Sequence, residues 1–335
     1  MANMPGINGV RINDPVLENL IVAYRNDRAN FIARRVMNPI PVNQQTGAIF
    51  LLDGMFGDPS TNLRRGHDGS YHVNKGFKAT NLVYRCEDIG DTFVLDNQLR
   101  DPRTNQFPRD LRALHYANIE DTIVIQEEKD AAKILFDTTG NTFAVQSLLA
   151  ADRWDTEAGG DPIGVIEARM QYIKKSGRRA NTTVIGERTA SVLRQHAVQD
   201  YFGSNTDRTI MTDEELKQWI SRKWGIPVER VFIGSAVANQ NNPEESTVDA
   251  DYIWGNHMFI GYIDANTPGV TVPDGANGSG IAVRPTAAGL FSMDDLVREE
   301  ADIFEKRSLM GRLRHMTGYS AVGSRYGTVI ANCVG

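Results

Sequence analysis

Two histidines and two aspartates have the short spacing that a metal site needs. His67 and His72 share a turn-rich loop, but no nearby set of residues completes the three or four protein ligands that zinc normally requires. Asp249 and Asp251 lie in a second polar loop, where aspartate ordinarily serves solvation or turn formation. We therefore predict no metal site and no cofactor.

The closest pair of carboxylates is Glu127 and Glu128, which are adjacent in a predicted helix. Adjacent helical residues point about 100° apart, so these two do not form a natural acid/base pair. The two cysteines, Cys86 and Cys333, are too few for a disulfide framework and suit a reducing compartment. Cys86 lies in a strand-like segment and is interpreted as a small apolar residue.

Sequence motifs of common enzymes are absent. The chain has no GxxxxGK[ST] phosphate loop, no GxGxxG after a strand, no HExxH and no CxxC. GYSAVG has the wrong spacing for a GxSxG nucleophile elbow. We predict that the protein is not an enzyme, and a soluble α/β enzyme whose site no motif marks stays as one alternative.

Composition narrows the classes of partner. The chain has 335 residues and a formal net charge of −6, which argues against a dedicated nucleic-acid binder. That charge does not exclude a container that encloses nucleic acid without gripping it. The sequence has no apolar run of about 18 residues, the length that predicts a membrane span, and its N-terminus does not resemble a secretory signal.

The longest predicted element is a helix over residues 108–136. Pro108 suits a first helical turn, and no Gly or Pro follows before Gly140. At 1.5 Å per residue this helix is roughly 40 Å long. Its apolar residues point in several directions, so we expect it to contact more than one surface.

Two extensions precede the long helix. Residues 1–43 look poorly able to form a core of their own and are predicted to be an arm that lies on another surface, with a frayed terminus as the alternative. Residues 44–83 are predicted to be a long hairpin, with strand candidates around GAIFLLD and SYHVNKGFKATNLVYRC. An isolated two-stranded hairpin is marginally stable in water, so a neighbouring subunit is one candidate support, and a solvated loop is the alternative.

An α/β pattern follows the long helix. Residues 138–160 are interpreted as irregular, and Asp161-Pro162 then starts a helix. TTVIG is a predicted buried strand, and two further helices follow, the second with a capping box at Thr212 and Glu215. VERVFIGSAV and YIWGNHMFIGYI are each predicted to be one strand, and charged strands and a last apolar strand, GTVIANCV, end the chain.

This order of elements resembles the major capsid protein of tailed bacteriophages, whose fold encapsulin shells share. Three stretches carry the resemblance: EDIGDTFVLDNQLRD, which leads into the helix that ends in QEEKDAAKILFD; GVIEARMQYIKKSGRRANTTVIGERTASVLRQHAVQDYF; and the C-terminal charged strands with GTVIANCV. With the arm and the hairpin, the match covers nearly the whole chain.

The resemblance implies an α+β phage major capsid fold with four parts. They are an N-terminal arm (1–43), an extended β-hairpin loop over a neighbouring subunit (44–83), a peripheral domain (84–139 and 291–317) with a spine helix over 108–136, and an axial α/β domain (140–290 and 318–335).

The resemblance also implies a function and partners. The chain would self-assemble into hexamers and pentamers of an icosahedral phage head that encloses double-stranded DNA without sequence specificity. It would be a virion protein, assembled in the host cytoplasm. The arm begins almost at Met1, which implies a separate scaffolding protein rather than a fused one. A portal protein is a further implied partner, decoration proteins remain an open question, and no membrane is expected.

Charged residues of the hairpin loop are the candidate contacts between subunits. We hypothesise that four cations of one copy meet three acidic residues of the next; these are Arg64, Arg65, Lys75 and Lys78, and Glu299, Glu300 and Asp302. The alternative within the same fold is an encapsulin-like nanocompartment shell, which packages an enzyme rather than a genome.

Overall fold

The computed structural model describes most of the chain. The described residues are 28–37, 39–53, 78–96, 111–140, 142–156, 160–202, 211–239, 250–264, 270–271, 281–282, 286–293, 296–303 and 308–335. The helices are α1 (Ala33–Val36), α2 (Leu111–Leu135), α3 (Pro162–Lys174), α4 (Glu187–Phe202) and α5 (Asp213–Trp224). The strands before residue 200 are β1 (Pro39–Pro41), β2 (Thr46–Asp53), β3 (Lys78–Arg85), β4 (Glu87–Asp96), β5 (Ala144–Ser147) and β6 (Thr182–Gly186). The later strands are β7 (Val231–Gly234), β8 (Val237–Asn239), β9 (Ala250–Tyr252), β10 (Met258–Gly261), β11 (Val270–Thr271), β12 (Ile281–Ala282), β13 (Ala288–Ser292), β14 (Val297–Ile303), β15 (Ser308–Ala321) and β16 (Gly327–Ala331).

One body of the protein is a five-stranded sheet with the order β5-β16-β10-β6-β7. Strands β6, β7, β10 and β16 are buried along their whole length, which explains their continuous apolar sequences. Helices α3, α4 and α5 supply side chains to the core on one face, including Ile166, Leu193 and Trp219. The other face packs against the end of α2 and against α1.

The local signals of the α/β region are confirmed. The Asp161 carboxylate accepts a hydrogen bond from the backbone N–H of Gly164, with Pro162 as the first residue of α3. Thr212 and Glu215 form both halves of the capping box at the start of α5, and Gly225 ends that helix with φ of 73°.

The second body is an antiparallel sheet centred on β15. Strand β15 pairs with β4 along one edge, and with β14 and then β13 along the other, while β1 joins β13 in parallel. The first half of α2 covers one face through Tyr116, Ile119 and Ile123, which pack with Phe93 and Leu313. The long helix thus contacts both bodies, as its scattered apolar residues predicted.

The hairpin prediction is confirmed where the structure describes it. Strands β2 and β3 pair antiparallel from Thr46–Arg85 to Asp53–Lys78. The short strand β12 adds to β2 in parallel, and β11 pairs with β12. The hairpin is therefore not a lone pair of strands, because two short strands of its own chain extend it to a four-stranded sheet.

Three local predictions were wrong. YIWGNHMFIGYI is divided between β9 and β10, because the chain turns at residues 253–256, where Gly255 has φ of 54° and Trp254 is fully buried. The stretch interpreted as irregular contains β5, which pairs with β16. VERVFIGSAV is not one strand either, because residues 228–230 form a 3-10 turn before β7 and the chain leaves β7 at Gly234 before β8 begins at Val237.

The arm prediction is tested only from Arg28 onward. Residues 28–37 do not need a neighbouring molecule to cover their apolar side chains. Four of these side chains are already buried in the core of their own chain: Ile32, Ala33, Val36 and Met37. The predicted helix after Pro15 lies outside the described residues, as do the first three residues of the predicted long helix.

Candidate inter-subunit surface and the junction behind it

The acidic candidates lie together on an edge strand. Glu299, Glu300 and Asp302 are exposed residues of β14, which pairs only with β15 among the described strands. Their side chains alternate between the faces of the sheet, because successive strand residues point to opposite sides. An edge strand offers unpaired backbone groups to another chain, and charges on it select which chain can approach.

Glu299 and Glu300 have identified partners within the chain. The Arg314 Nε atom lies 3.0 Å from Glu299 Oε1, on one face of the sheet. On the other face, Arg112 lies 3.2 Å from Glu300, which also accepts a hydrogen bond from the Tyr116 hydroxyl at 3.0 Å. These are exposed or half-buried pairs, each stabilising by under about 1 kcal/mol, so a neighbouring cation can compete for them.

The basic candidates are not brought to this strand by any described contact. Arg64, Arg65 and Lys75 lie outside the described residues, and Lys78 begins β3. The hypothesis that they meet Glu299, Glu300 and Asp302 of another copy therefore stays a prediction.

Behind the edge strand lies a buried ionic junction that sequence reasoning missed. Glu127 in α2 binds Arg34 of α1 in a bidentate pair, with both N–O distances at 2.8 Å. The Nδ1 atom of His315 in β15 lies 2.5 Å from Glu127 Oε1. Glu127 and His315 are almost fully buried, so this carboxylate joins the arm, the long helix and the peripheral sheet away from water.

The neighbouring carboxylate makes the matching connection to the axial body. Glu128 Oε1 accepts the backbone N–H of Ala33 at 2.6 Å, and Glu128 Oε2 accepts the Trp254 Nε1–H at 2.7 Å. Trp254 lies in the turn between β9 and β10 and is fully buried. The two adjacent glutamates therefore reach toward different bodies of the protein, and both hold α1.

The two carboxylates differ in acidity. Burial would raise the pKa of Glu127, but hydrogen bonds and charge from His315 and Arg34 outweigh it and leave that pKa below its ordinary value. Burial raises the pKa of Glu128 to about 7, because the two N–H donors only partly compensate for lost hydration. Within the junction, Glu127 therefore stays ionised at neutral pH, whereas Glu128 changes its protonation state near pH 7.

A sequence signal for the junction existed. Ile119, Ile123, Glu127, Ala131 and Leu135 recur every four residues along α2 and are all buried, each beside the next. A glutamate inside an apolar stripe needs a buried partner. The sequence does not show that the partners come from residues 34 and 315, because both are distant along the chain.

The described residues include no candidate metal centre. No group of three His, Cys, Asp or Glu residues there is arranged to hold a metal ion. Among the helices that the structure describes, none is long and apolar enough to cross a membrane. Cys86 and Cys333 are both buried free thiols.

Comparison with known proteins gives a consistent result. No family model matches the chain. The chain is 28% identical over 269 residues to the major capsid protein of Burkholderia phage BcepMu, a match that covers 78% of this chain and 79% of the relative. It is 27% identical over 262 residues to the major capsid protein of Pseudomonas phage JBD67, with 75% and 77% covered.

Solved structures show the same fold. A phage-related protein from Bordetella bronchiseptica matches with a TM-score of 0.62 at 17% identity, over 96% of this chain and 97% of that one. The capsid of a native GTA particle matches with a TM-score of 0.57 at 10% identity, over 91% of both chains. The predicted phage capsid fold, with mixed helices and strands, is thereby confirmed.

Proposed function

We propose that this chain, a homologue of phage major capsid proteins with the phage capsid fold, is the subunit from which an icosahedral phage head is built. Its role is structural, its place is the virion, and it associates with copies of itself in the capsid. The relatives are capsid proteins rather than enzymes, which removes the support for a soluble α/β enzyme with an unmarked site.

The observation that carries this proposal is the extent of the match. Homology to two major capsid proteins covers about three quarters of the chain, and the fold match to the Bordetella protein covers nearly all of it. Such coverage includes both bodies, the long helix and the hairpin together. An encapsulin-like nanocompartment is not better supported, because the curated relatives are phage proteins.

Hexamers and pentamers fit the layout of the subunit. Closed shells need repeated head-to-tail contacts that close into rings. Among the described strands, β3 of the hairpin and β14 of the peripheral sheet each lie at an edge of their sheet. We propose that these edges, with residues 44–83 as an extended loop over a neighbour, supply contacts between subunits.

The domain boundaries belong to the same proposal. We assign 1–43 to an arm, 84–139 and 291–317 to a peripheral domain, and 140–290 and 318–335 to an axial domain. The separate cores support a division into two bodies: α2 and β15 form one, while α3, α4 and α5 pack on the other. The described end of the arm packs where these bodies meet.

The finer partners follow from the role of a phage head. We propose that double-stranded DNA fills the shell, that a portal protein occupies one vertex, and that a separate scaffolding protein guides assembly in the host cytoplasm. The net charge of −6 suits a container that does not trap DNA over its whole surface.

Electron microscopy of the purified product tests the shell proposal. We expect closed icosahedral particles, and DNA inside particles recovered from phage-producing cells. A protein that elutes as a monomer or small oligomer under all assembly conditions would contradict the proposal. Particles filled with a cargo enzyme instead of DNA would indicate the nanocompartment alternative.

Charge reversal in the hairpin loop tests the proposed contact between subunits. We expect R64E/R65E to lose most closed particles while the circular dichroism spectrum of the subunit stays unchanged, because the loop cations act between copies. Particle yield by sedimentation is the measurement.

The compensating variant supplies the control. Reversal of Glu299 and Glu300 to arginine in the R64E/R65E background restores the opposite signs, so we expect particle yield to recover at least in part. Normal particles from R64E/R65E alone would reject the assignment of Arg64 and Arg65. E299R/E300R alone should also lower the particle yield. If E299R/E300R alone leaves the yield unchanged while the combined variant recovers, that result would count against a direct pairing.

A further inference from the structure

The most concentrated positive charge in the described part of the chain lies in one turn. Lys174 and Lys175 end α3, and Arg178 and Arg179 follow after Ser176-Gly177, so four cations fall within six residues. All four side chains are exposed. We call this segment, residues 174–179, the basic turn.

The four cations of the basic turn have no counter-charge among the residues that the structure describes. Elsewhere, Arg28, Arg112, Arg188, Arg312 and Arg314 each form an ion pair with a carboxylate of the same chain. No ion pair joins the four cations of the basic turn to any residue that the structure describes. A chain with net negative charge thus leaves a group of cations open at one place.

The backbone of the basic turn is firmly held. The N–H groups of Lys175, Ser176 and Gly177 each donate to a carbonyl of the preceding helical turn, and the Ser176 hydroxyl donates to the carbonyl of Ile173. Gly177 has φ of 81°, a left-handed conformation that suits glycine. Ile173 and Ala180 are buried on either side. The four cations therefore extend from a rigid platform.

One of the cations is also positioned. The guanidinium of Arg178 lies over the ring of Tyr262, 5.3 Å from its centroid. Tyr262 is fixed at both backbone groups, since its N–H donates to Tyr326 and its carbonyl accepts from Ala287. A guanidinium that is already oriented loses less side-chain entropy when it binds an anion.

Helix capping accounts for only part of the cluster. Lysines near a helix C-terminus interact favourably with the helix dipole, by about 0.3–1 kcal/mol each. This explains Lys174 and Lys175. It does not explain Arg178 and Arg179, which lie beyond the end of α3 and lead into β6.

We propose that the basic turn binds the phosphate backbone of nucleic acid inside the shell. The inference rests on the proposed function, because it takes the enclosed DNA as the polyanion. Open cations on a rigid platform suit sequence-independent contacts with phosphate oxygens. A local contact of this kind holds DNA at one point on each subunit. The net negative charge of the rest of the chain repels phosphate, so the DNA does not adhere to the whole surface.

The size of the effect follows from counterion release. Each neutralised phosphate contributes about −0.9 to the slope of log affinity against log salt on duplex DNA, so the full cluster contributes at most about −3.6. Non-specific binding of this kind is weak, with dissociation constants of roughly 10⁻⁴ to 10⁻⁶ M at physiological salt. Many copies on one DNA molecule add their weak contacts.

The test uses the unassembled full chain and a fluorescent DNA duplex of random sequence. Fluorescence anisotropy is measured from low to moderate KCl for the wild type and for K174Q/K175Q/R178Q/R179Q. We expect the variant to lose about tenfold or more of the affinity at low salt and most of the salt slope. The swapped variant K174R/K175R/R178K/R179K keeps the charges and should retain both.

A matched control separates local charge from net charge. R85Q/K129Q/K133Q/R188Q removes four cations from other exposed sites, and we expect it to bind duplex DNA much like the wild type. Equal losses in the control and the basic-turn variant would overturn the proposal, as would wild-type chain that does not bind duplex DNA at all.

Shell formation keeps this inference separate from the proposed function. If the basic-turn variant binds DNA normally but forms no particles, the turn contacts another copy instead, and the nucleic-acid proposal is wrong. If the wild type forms closed particles but its free subunit does not bind DNA, the shell role survives and the basic-turn proposal fails. DNA-binding subunits that never form particles would contradict the shell role, and with it the location inside a shell.

Discussion

Replacement of Glu127 by glutamine is expected to destabilise the subunit by about 3 kcal/mol, the lower end of the cost of breaking a buried ion pair. The amide of E127Q places an NH₂ group against donors, because Arg34 has only N–H groups and the His315 Nδ1–H points at the same carboxylate. Arg34 is about half exposed and recovers some hydration, which keeps the effect below the upper end of that range.

Urea unfolding of the unassembled subunit measures this loss. The control is E120Q on the same helix, where Glu120 pairs with the exposed Arg28 at 3.2 Å and a change under about 1 kcal/mol is expected. The double variant E127Q/R34M should cost less than the two single changes together, because the residues share one interaction. An E127Q subunit as stable as E120Q would show that the junction contributes little.

The junction also shows how far the sequence leads. The long helix, the start of α3 at Pro162, the capping box of α5 and the buried strands were predictable because each depends on neighbouring residues. The hairpin was predictable from two β-rich runs around turn residues. The capsid fold itself was reached from the order of these elements rather than from any single residue.

What sequence reasoning missed depends on contacts between distant residues. The strand predicted across YIWGNHMFIGYI breaks because Trp254 turns inward to donate to Glu128, which lies 126 positions earlier. Strand β5 was missed because its pairing partner β16 lies at the other end of the chain. The basic turn was visible as KKSGRR, but its lack of ion pairs is a property of the folded surface.

The same limit applies to the candidate contacts between subunits. Charge type alone selected Glu299, Glu300 and Asp302, and the structure places them on one exposed edge strand. It also shows Arg314 and Arg112 beside two of them, which no local pattern indicated. A contact with Arg64 and Arg65 of another copy must compete with these internal pairs.

The second large effect concerns pH and arises from Glu128. Its pKa of about 7 in the folded subunit lies above the ordinary value of 4.5, so folding favours the protonated form. Stability from this group is therefore fully present below about pH 4.5 and is lost as the pH rises toward 7. At 1.36 kcal/mol per pKa unit, the loss amounts to about 3 kcal/mol.

Glu127 contributes with the opposite sign. Its pKa in the folded subunit is below the ordinary value, so its stabilisation is present above pH 4.5 and is lost on further acidification. Asp130 lies nearby with a raised pKa and reinforces Glu128, whereas burial keeps the Tyr319 hydroxyl from titrating until well above pH 10. Together these groups predict a stability maximum at mildly acidic pH.

Unfolding of the free subunit in urea from pH 4 to pH 8 measures this dependence. The wild type should lose stability between about pH 5 and 7, whereas E128Q, which cannot ionise, should lose much less over the same interval. E120Q serves again as the control and should follow the wild type. Burial lowers the pKa of His115 and His257, so these imidazoles give stability the opposite pH dependence, and the difference between the wild type and E128Q is the decisive quantity. A wild-type profile parallel to that of E128Q would mean that Ala33 and Trp254 hold Glu128 ionised throughout. Because Glu128 links α1 and Trp254 to the long helix, its deprotonation as the pH rises would weaken the contact between the arm and both bodies.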